Sequence, residues 1–200
     1  MFELSSKMND ERSEEIGDNH VGTSAKTPLR ADAFDISDEE KIEKAMFRSV
    51  EFAKNQYEKV SNYIKSIDST KTIHIGETGW SSQSDGFFGA DGSRAADQLK
   101  QAMYYETLMG WCREQNMSCF FFEAFDEQWK SSANPSDPEN HFGLFELDGS
   151  AKYVLWPLVD QGIFEGLSRE GQRIKKTFDG QVDRLIESAL IPQNEKLIKH

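Results

Sequence analysis

Two apolar runs constrain the fold most. Thr72-Ile73-His74-Ile75-Gly76 leads into Glu77, and Met117 to Phe125 carries Glu123 and leads into Asp126 and Glu127. Both are short and β-favouring. The residues between them include a stretch of helical composition from about 93 to 115, although its apolar side chains do not gather on one clean face. A helical connection of that length joins parallel strands, whereas antiparallel strands need only a tight turn. Upstream, Ser37-Asp38-Glu39-Glu40 is a capping box with Ser37 as N-cap, and its acids suit the first turn of a helix. Ile42, Ala45, Met46, Ala53, Tyr57, Val60, Ile64 and Ile67 then recur at helical spacings, which predicts one amphipathic helix of about thirty residues. Downstream come a long loop with Pro135 and Pro138, a short helical segment from about 150 to 160, and a helix near Val182 to Leu190. Pro157 is awkward for a regular helix in the middle one. The order helix, strand, helix, strand, helix predicts an α/β fold with a parallel sheet and covering helices.

Size limits how much of such a fold is present. Two hundred residues form one domain with a real core, yet an eight-stranded barrel takes about 250. Mean hydropathy is −0.67, and no apolar run approaches the roughly 20 residues of a membrane span. The N-terminus lacks an apolar signal region, so no secretory signal is expected, and the compartment stays open. The net charge is −12, half of it in the first 44 residues, where twelve acidic side chains face six basic ones. That balance argues against nucleic acid as a partner and is compatible with a neutral one. Cys112 and Cys119 are too few for a disulfide framework and read as small buried apolar residues. His20, His141 and His200 lack the spacing of a metal site, and there is no phosphate loop or nucleophilic triad. No metal or cofactor is expected. The domain plan is an acidic, disordered leader over 1–36, a folded body over 37–166, and a tail over 167–200.

The acids carry the chemistry. Glu77 ends an apolar run between Gly76 and Gly79, and Trp80 beside it offers a flat face to a pyranose. Glu123, Phe125 and Glu127 share parity on a two-residue period, with Asp126 between them. Four acids at two strand ends exceed what a core tolerates without a purpose. Lys130 can neutralise part of that charge, so the cluster can hold carboxyls in different protonation states. Trp129, Phe142, Phe87 and Phe88 are loop aromatics able to line sugar subsites or cover a rim. His74, between isoleucines, reads as packed or outward-facing.

Three motifs, taken together, resemble the last two strands of glycoside hydrolase family 17, the β-1,3-glucanases. They are Glu77-Thr78-Gly79-Trp80-Ser81-Ser82, Phe120-Phe121-Phe122-Glu123-Ala124-Phe125-Asp126-Glu127-Gln128-Trp129-Lys130, and Glu139-Asn140-His141-Phe142-Gly143-Leu144-Phe145. Ser81 and Gln128 stand where the family usually has proline. The resemblance covers about residues 37 to 180. It implies the C-terminal part of a (β/α)8 barrel, about strands seven and eight, and a retaining glycosidase acting on β-1,3-glucan such as laminarin. By the same resemblance Glu77 is the nucleophile, and Glu127, Lys130 and Glu139 are auxiliary. Trp80, Glu123, Trp129 and Phe142 are the expected sugar contacts. The family's general acid/base lies on strand four. No such strand is readable here, and Glu11, Glu14 and Glu15 are poor substitutes, so the acid/base is expected to be absent from this chain. The alternatives are a non-catalytic glucan-binding fragment, a subunit of a split enzyme that awaits its N-terminal half or self-associates, and a β-glucan transglycosylase. Family members are often secreted, periplasmic or at the cell surface.

Overall fold

The computed structural model describes residues 37–84 and 94–192. The leader over 1–36, Phe87, Phe88, His20 and His200 lie outside the described residues. Helix α1 spans Asp38–Ile67, and the Ser37 side chain accepts from the Glu40 amide at 3.1 Å, as the capping box predicts. Strand β1 is Ile75–Thr78, helix α2 is Gln98–Glu114, and strand β2 is Cys119–Phe121. β1 and β2 pair in parallel, with Ile75 opposite Cys119 and Thr78 opposite Phe121 across an irregular register.

Two apolar clusters hold these elements. Ile42, Met46 and Val50 of α1 bury against Tyr104, Leu108 and Cys112 of α2. Ala102, on the other side of α2, packs with Ala151, Val154 and Leu155. Helix α2 is thus covered on two sides, so it lacks a clean apolar stripe. Among its buried residues are Gln98, Lys100 and Gln101: Lys100 and Gln101 donate to carboxylate and carbonyl oxygens, and Gln98 Oε1 accepts from the Tyr153 amide and the Thr177 hydroxyl. Lys100 pairs with Asp97 and donates to the Leu190 carbonyl at 2.6 Å.

The second strand is shorter than the run Met117 to Phe125 implies. Regular pairing stops at Phe121, and the Phe122–Glu123 peptide is cis. Beyond it the chain finds a different neighbour. Leu144 and Phe145 amides donate to Glu123 and Ala124 carbonyls, both at 2.9 Å, and the Asp126 amide donates to the Phe145 carbonyl at 3.0 Å. Phe125 and Phe145 form a parallel bridge, with rings stacked 5.2 Å apart. The parity argument for Glu123 and Glu127 therefore fails as stated, because no continuous strand joins them.

Pro157 fits without a break. A 3-10 turn at Tyr153–Leu155 runs into helix α3, Trp156–Asp160, with the proline in its first turn, where a missing N–H costs nothing. The tail holds a hairpin that composition did not reveal: β3, Ser168–Arg169, pairs antiparallel with β4, Gln172–Arg173. Its two loop residues, Glu170 and Gly171, both have positive φ, the backbone of a two-residue hairpin turn. Helix α4 spans Val182–Ser188. Cys112 is buried, but Cys119 is only half-buried, since its strand is short and one side lacks cover; both thiols are free. His74 is exposed, edge-on to Phe120. No helix among the described residues is long and apolar enough to cross a membrane.

Candidate active site

Parallel pairing puts the C-terminal ends of β1 and β2 on one edge of the sheet. Glu77 is exposed there, the third residue of β1. Gly79 is fixed by packing, since a Cβ on it would lie 2.2 Å from the Phe122 carbonyl oxygen. Gly76 meets nothing within 4 Å, so its backbone is open to a ligand.

Across the edge sits a three-membered charge cluster. Lys130 Nζ lies 2.8 Å from Glu123 Oε1 and 3.1 Å from Glu127 Oε2. The same ammonium stands 3.8 Å above the Phe122 ring, a cation–π contact. Burial lifts the Glu123 carboxyl above the usual carboxylate range, with Glu127 reinforcing the shift and Lys130 opposing it. The Lys130 hydrogen bond holds Glu127 below that range. Burial works against the Lys130 charge, but the two carboxylates together outweigh it and raise its pKa. The cluster therefore pushes the pKa values of two neighbouring carboxyls in opposite directions.

The remaining sequence-predicted residues are placed less uniformly. Glu139 is exposed in the 3-10 turn Pro138–Asn140, and its carboxylate has no ion pair or hydrogen bond among the described residues. Trp80 is half-buried, tilted over Tyr104 at 5.0 Å, and its Nε1 donates to the Ala95 carbonyl at 2.8 Å. It also borders a cavity of about 470 Å³ with Phe52 and Tyr104. Trp129 is 73% exposed. Phe142 is half-buried and edge-on to Phe122. Asp126 differs from the other acids: it is buried and ion-paired with Lys152 at 2.5 Å. It belongs to the support of the site.

That support was not read from the sequence. Asn140, fully buried, accepts from the Ser131 amide at 2.8 Å and donates to the Ser131 and Asn134 carbonyls. Its own carbonyl accepts from the Glu127 amide at 3.1 Å, so Asn140 fixes the loop carrying Glu127 and Lys130. Gln101 Nε2 donates to the carbonyls of Trp80 and Gly143, both at 3.0 Å. His141 Nδ1 lies 3.5 Å from Asp126 Oδ2, and its Nε2 is 2.7 Å from the Pro135 carbonyl. One signal was available for Lys152: a lone cation inside the apolar stretch Ala151 to Trp156, in a chain with a surplus acid at Asp126.

A polar cavity of about 330 Å³ lies beside this support, bordered by Gln83, Gln98, Gln128, Glu146 and Lys152. Burial raises the Glu146 carboxyl above its ordinary value of 4.5, with Lys152 opposing and Asp148 reinforcing. The folded chain thus binds that proton more tightly than the unfolded chain. Stability is lost as pH rises from the ordinary value through the raised one. Glu146→Gln should therefore be more stable than the parent above this window and similar below it. Urea denaturation at pH 4 and pH 8 measures the difference.

Known proteins resemble this chain over part of their length. The profile of Glycosyl hydrolases family 17 matches residues 46–156. An endo-laminarinase from Formosa Hel1_33_131 superposes with a TM-score of 0.78 at 49% identity, over 84% of this chain and 43% of that one. Glucan 1,3-beta-glucosidase from Schizosaccharomyces pombe is 32% identical over 94 residues, 46% of this chain and 27% of the yeast protein. A 36-residue stretch is 64% identical to part of GTP cyclohydrolase 1 from Flavobacterium johnsoniae, covering 18% of this chain and 16% of that enzyme. This chain therefore spans less than half the length of the relatives it matches. The family relatives imply a (β/α)8 barrel, and the described residues contribute two parallel strands and their covering helices to that architecture. With more than half of its 200 residues inside the family match, the chain belongs to glycosyl hydrolases family 17.

Proposed function

We propose that this chain is the nucleophile-bearing, C-terminal part of a retaining β-1,3-glucan hydrolase, its body running over 37–166 with a tail over 167–200. The observation that carries this reading is the pairing of β1 and β2. Glu77 is the third residue of β1 and Glu123 follows the end of β2 by two residues, and in barrels of this kind the C-terminal ends of the strands carry the active site. The 49% identity to an endo-laminarinase supports a laminarin-like substrate.

In this reading Glu77 attacks the anomeric carbon and forms the glycosyl-enzyme. The leaving oxygen takes a proton from a general acid, and water then releases the sugar. Lys130 and Glu127 hold charge and hydrogen bonds around the nucleophile, and Glu139 adds to them. Glu123, Trp80, Trp129 and Phe142 contact sugar. A retaining pair needs carboxyls about 5–5.5 Å apart, and in this reading the acid/base partner comes from a strand outside the described residues. It reaches the site from an N-terminal barrel half, or the chain acts as a glucan-binding fragment or self-associates. Transfer to a second sugar instead of water is a further outcome of the same glycosyl-enzyme.

An activated substrate separates these readings, because a good leaving group needs no protonation. The 200-residue chain should leave unactivated laminarin uncut. Incubated with a 2-fluoro laminaribioside bearing a dinitrophenyl leaving group, it should gain one glycosyl mass, mapped to Glu77 by peptide sequencing. A label on another carboxylate would refute the nucleophile assignment. Absence of label would favour the non-catalytic fragment.

A further inference from the structure

Lys152 is 1% exposed, and all three of its ammonium donors are used. It donates to Ser82 Oγ at 2.7 Å, to Asp126 Oδ1 at 2.5 Å and to the His141 carbonyl at 3.3 Å. These acceptors lie on three different segments. Ser82 is in the loop that follows Glu77 and β1. Asp126 directly precedes Glu127. His141 follows the turn that carries Glu139. Each of the three motifs thus gives one acceptor to one buried cation, whereas Gln101 joins only two of them.

The surroundings tighten the arrangement. Asp126 Oδ1 also accepts from the Gly143 amide at 3.0 Å, and its Oδ2 faces His141 Nδ1. Glu146 and Glu123 add attraction on Lys152 from further off. An apolar side chain could fill the same volume. It could not select one arrangement of three polar loops, which is the best-attested reason to keep a buried ion pair despite its desolvation cost.

We propose that Lys152 is a positioning residue of the glucan site: its ammonium locks the loops after β1 and β2 to the segment around His141, and so sets how Glu77 stands to the Glu123–Lys130–Glu127 cluster and to Glu139. It touches no substrate. The proposal rests on the reading of those residues as the site.

The test uses the full chain with the paired change Lys152→Met/Asp126→Asn, which removes the bridge without leaving a buried charge unpaired. Lys152→Met alone leaves the Asp126 charge buried and unpaired, which is strongly destabilising, so Ser82→Ala, which removes one acceptor, serves as the second variant. Carboxyl carbon NMR follows the titrations of Glu123 and Glu127, with circular dichroism confirming the fold. In the parent, Glu123 titrates above and Glu127 below the usual range. In the paired variant the two midpoints should draw together by at least about half their separation, and in Ser82→Ala by less. Laminarihexaose should bind about tenfold more weakly to the paired variant, since small misplacements of site groups are costly. Unchanged midpoints in folded variants would overturn the positioning role. Shifted midpoints, with no laminarihexaose binding even by the parent, would uphold positioning and sink the glucan reading instead.

Discussion

Glu77→Gln, placed in a complete barrel that contains this chain, should lower kcat roughly a thousandfold or more while leaving glucan affinity within a few-fold. The nucleophile contributes mainly once the glycosidic bond begins to break, whereas the aromatic and polar subsites bind substrate and transition state alike. The amide keeps the size of the carboxylate, and Glu77 is exposed, so its replacement leaves no buried hole and stability should hold. The check pairs turnover of laminarin with calorimetric titration of laminarihexaose. Activity within tenfold of the parent would remove Glu77 from its role. In the truncated variant Glu77→Ala, restoration of turnover by azide, yielding an inverted glycosyl azide, would support it, because the small anion fits where the carboxylate was removed.

Gly143→Ala should be among the most destabilising single changes in the chain, costing about 3 kcal/mol or more. A Cβ at this position would sit 2.1 Å from the Asp126 amide nitrogen and 2.3 Å from the Phe125 carbonyl carbon. These are backbone atoms that cannot rotate away. The segment would have to lift off, breaking the Leu144 and Phe145 hydrogen bonds to Glu123 and Ala124. It would also pull the Gly143 amide from Asp126. The damage would then reach the charge cluster, since the Glu123 and Glu127 backbones hydrogen-bond to Phe142, Leu144 and Asn140 in and beside the displaced segment. Gly76→Ala is the control: nothing lies within 4 Å of its Cβ, so its effect on stability should stay within about 0.5 kcal/mol. Urea midpoints for the two variants measure the contrast. Equal midpoints would mean that the segment around Gly143 is not held as described.

Some of this was readable in advance because it is local. The capping box at Ser37 and the spacing of Ile42, Met46 and Tyr57 concern residues within one helix. The β-favouring runs and the long helical connection between them dictated parallel pairing. The three acidic motifs could be quoted as they stand, and Lys130, three residues from Glu127, could be paired with it on paper.

Other features depend on what faces what. The run from Met117 to Phe125 has strand composition throughout, yet its partner changes at Phe122, from β1 to the segment 142–145. Composition does not record where a neighbouring strand ends. Asp126 looked like one more acid of the site. Only the fold brings Lys152 to it from 26 residues away, turning one of the four clustered acids into half of a buried ion pair. Asn140 and Gln101 are likewise ordinary polar residues until carbonyls from distant loops converge on them. What the sequence by itself determined was the set of elements and the family of acids, since helix periodicity, capping and motif spacing are short-range properties. What only the tertiary structure decided was the burial, pairing and support of those acids, because burial and ion pairing arise between segments that the chain order keeps apart.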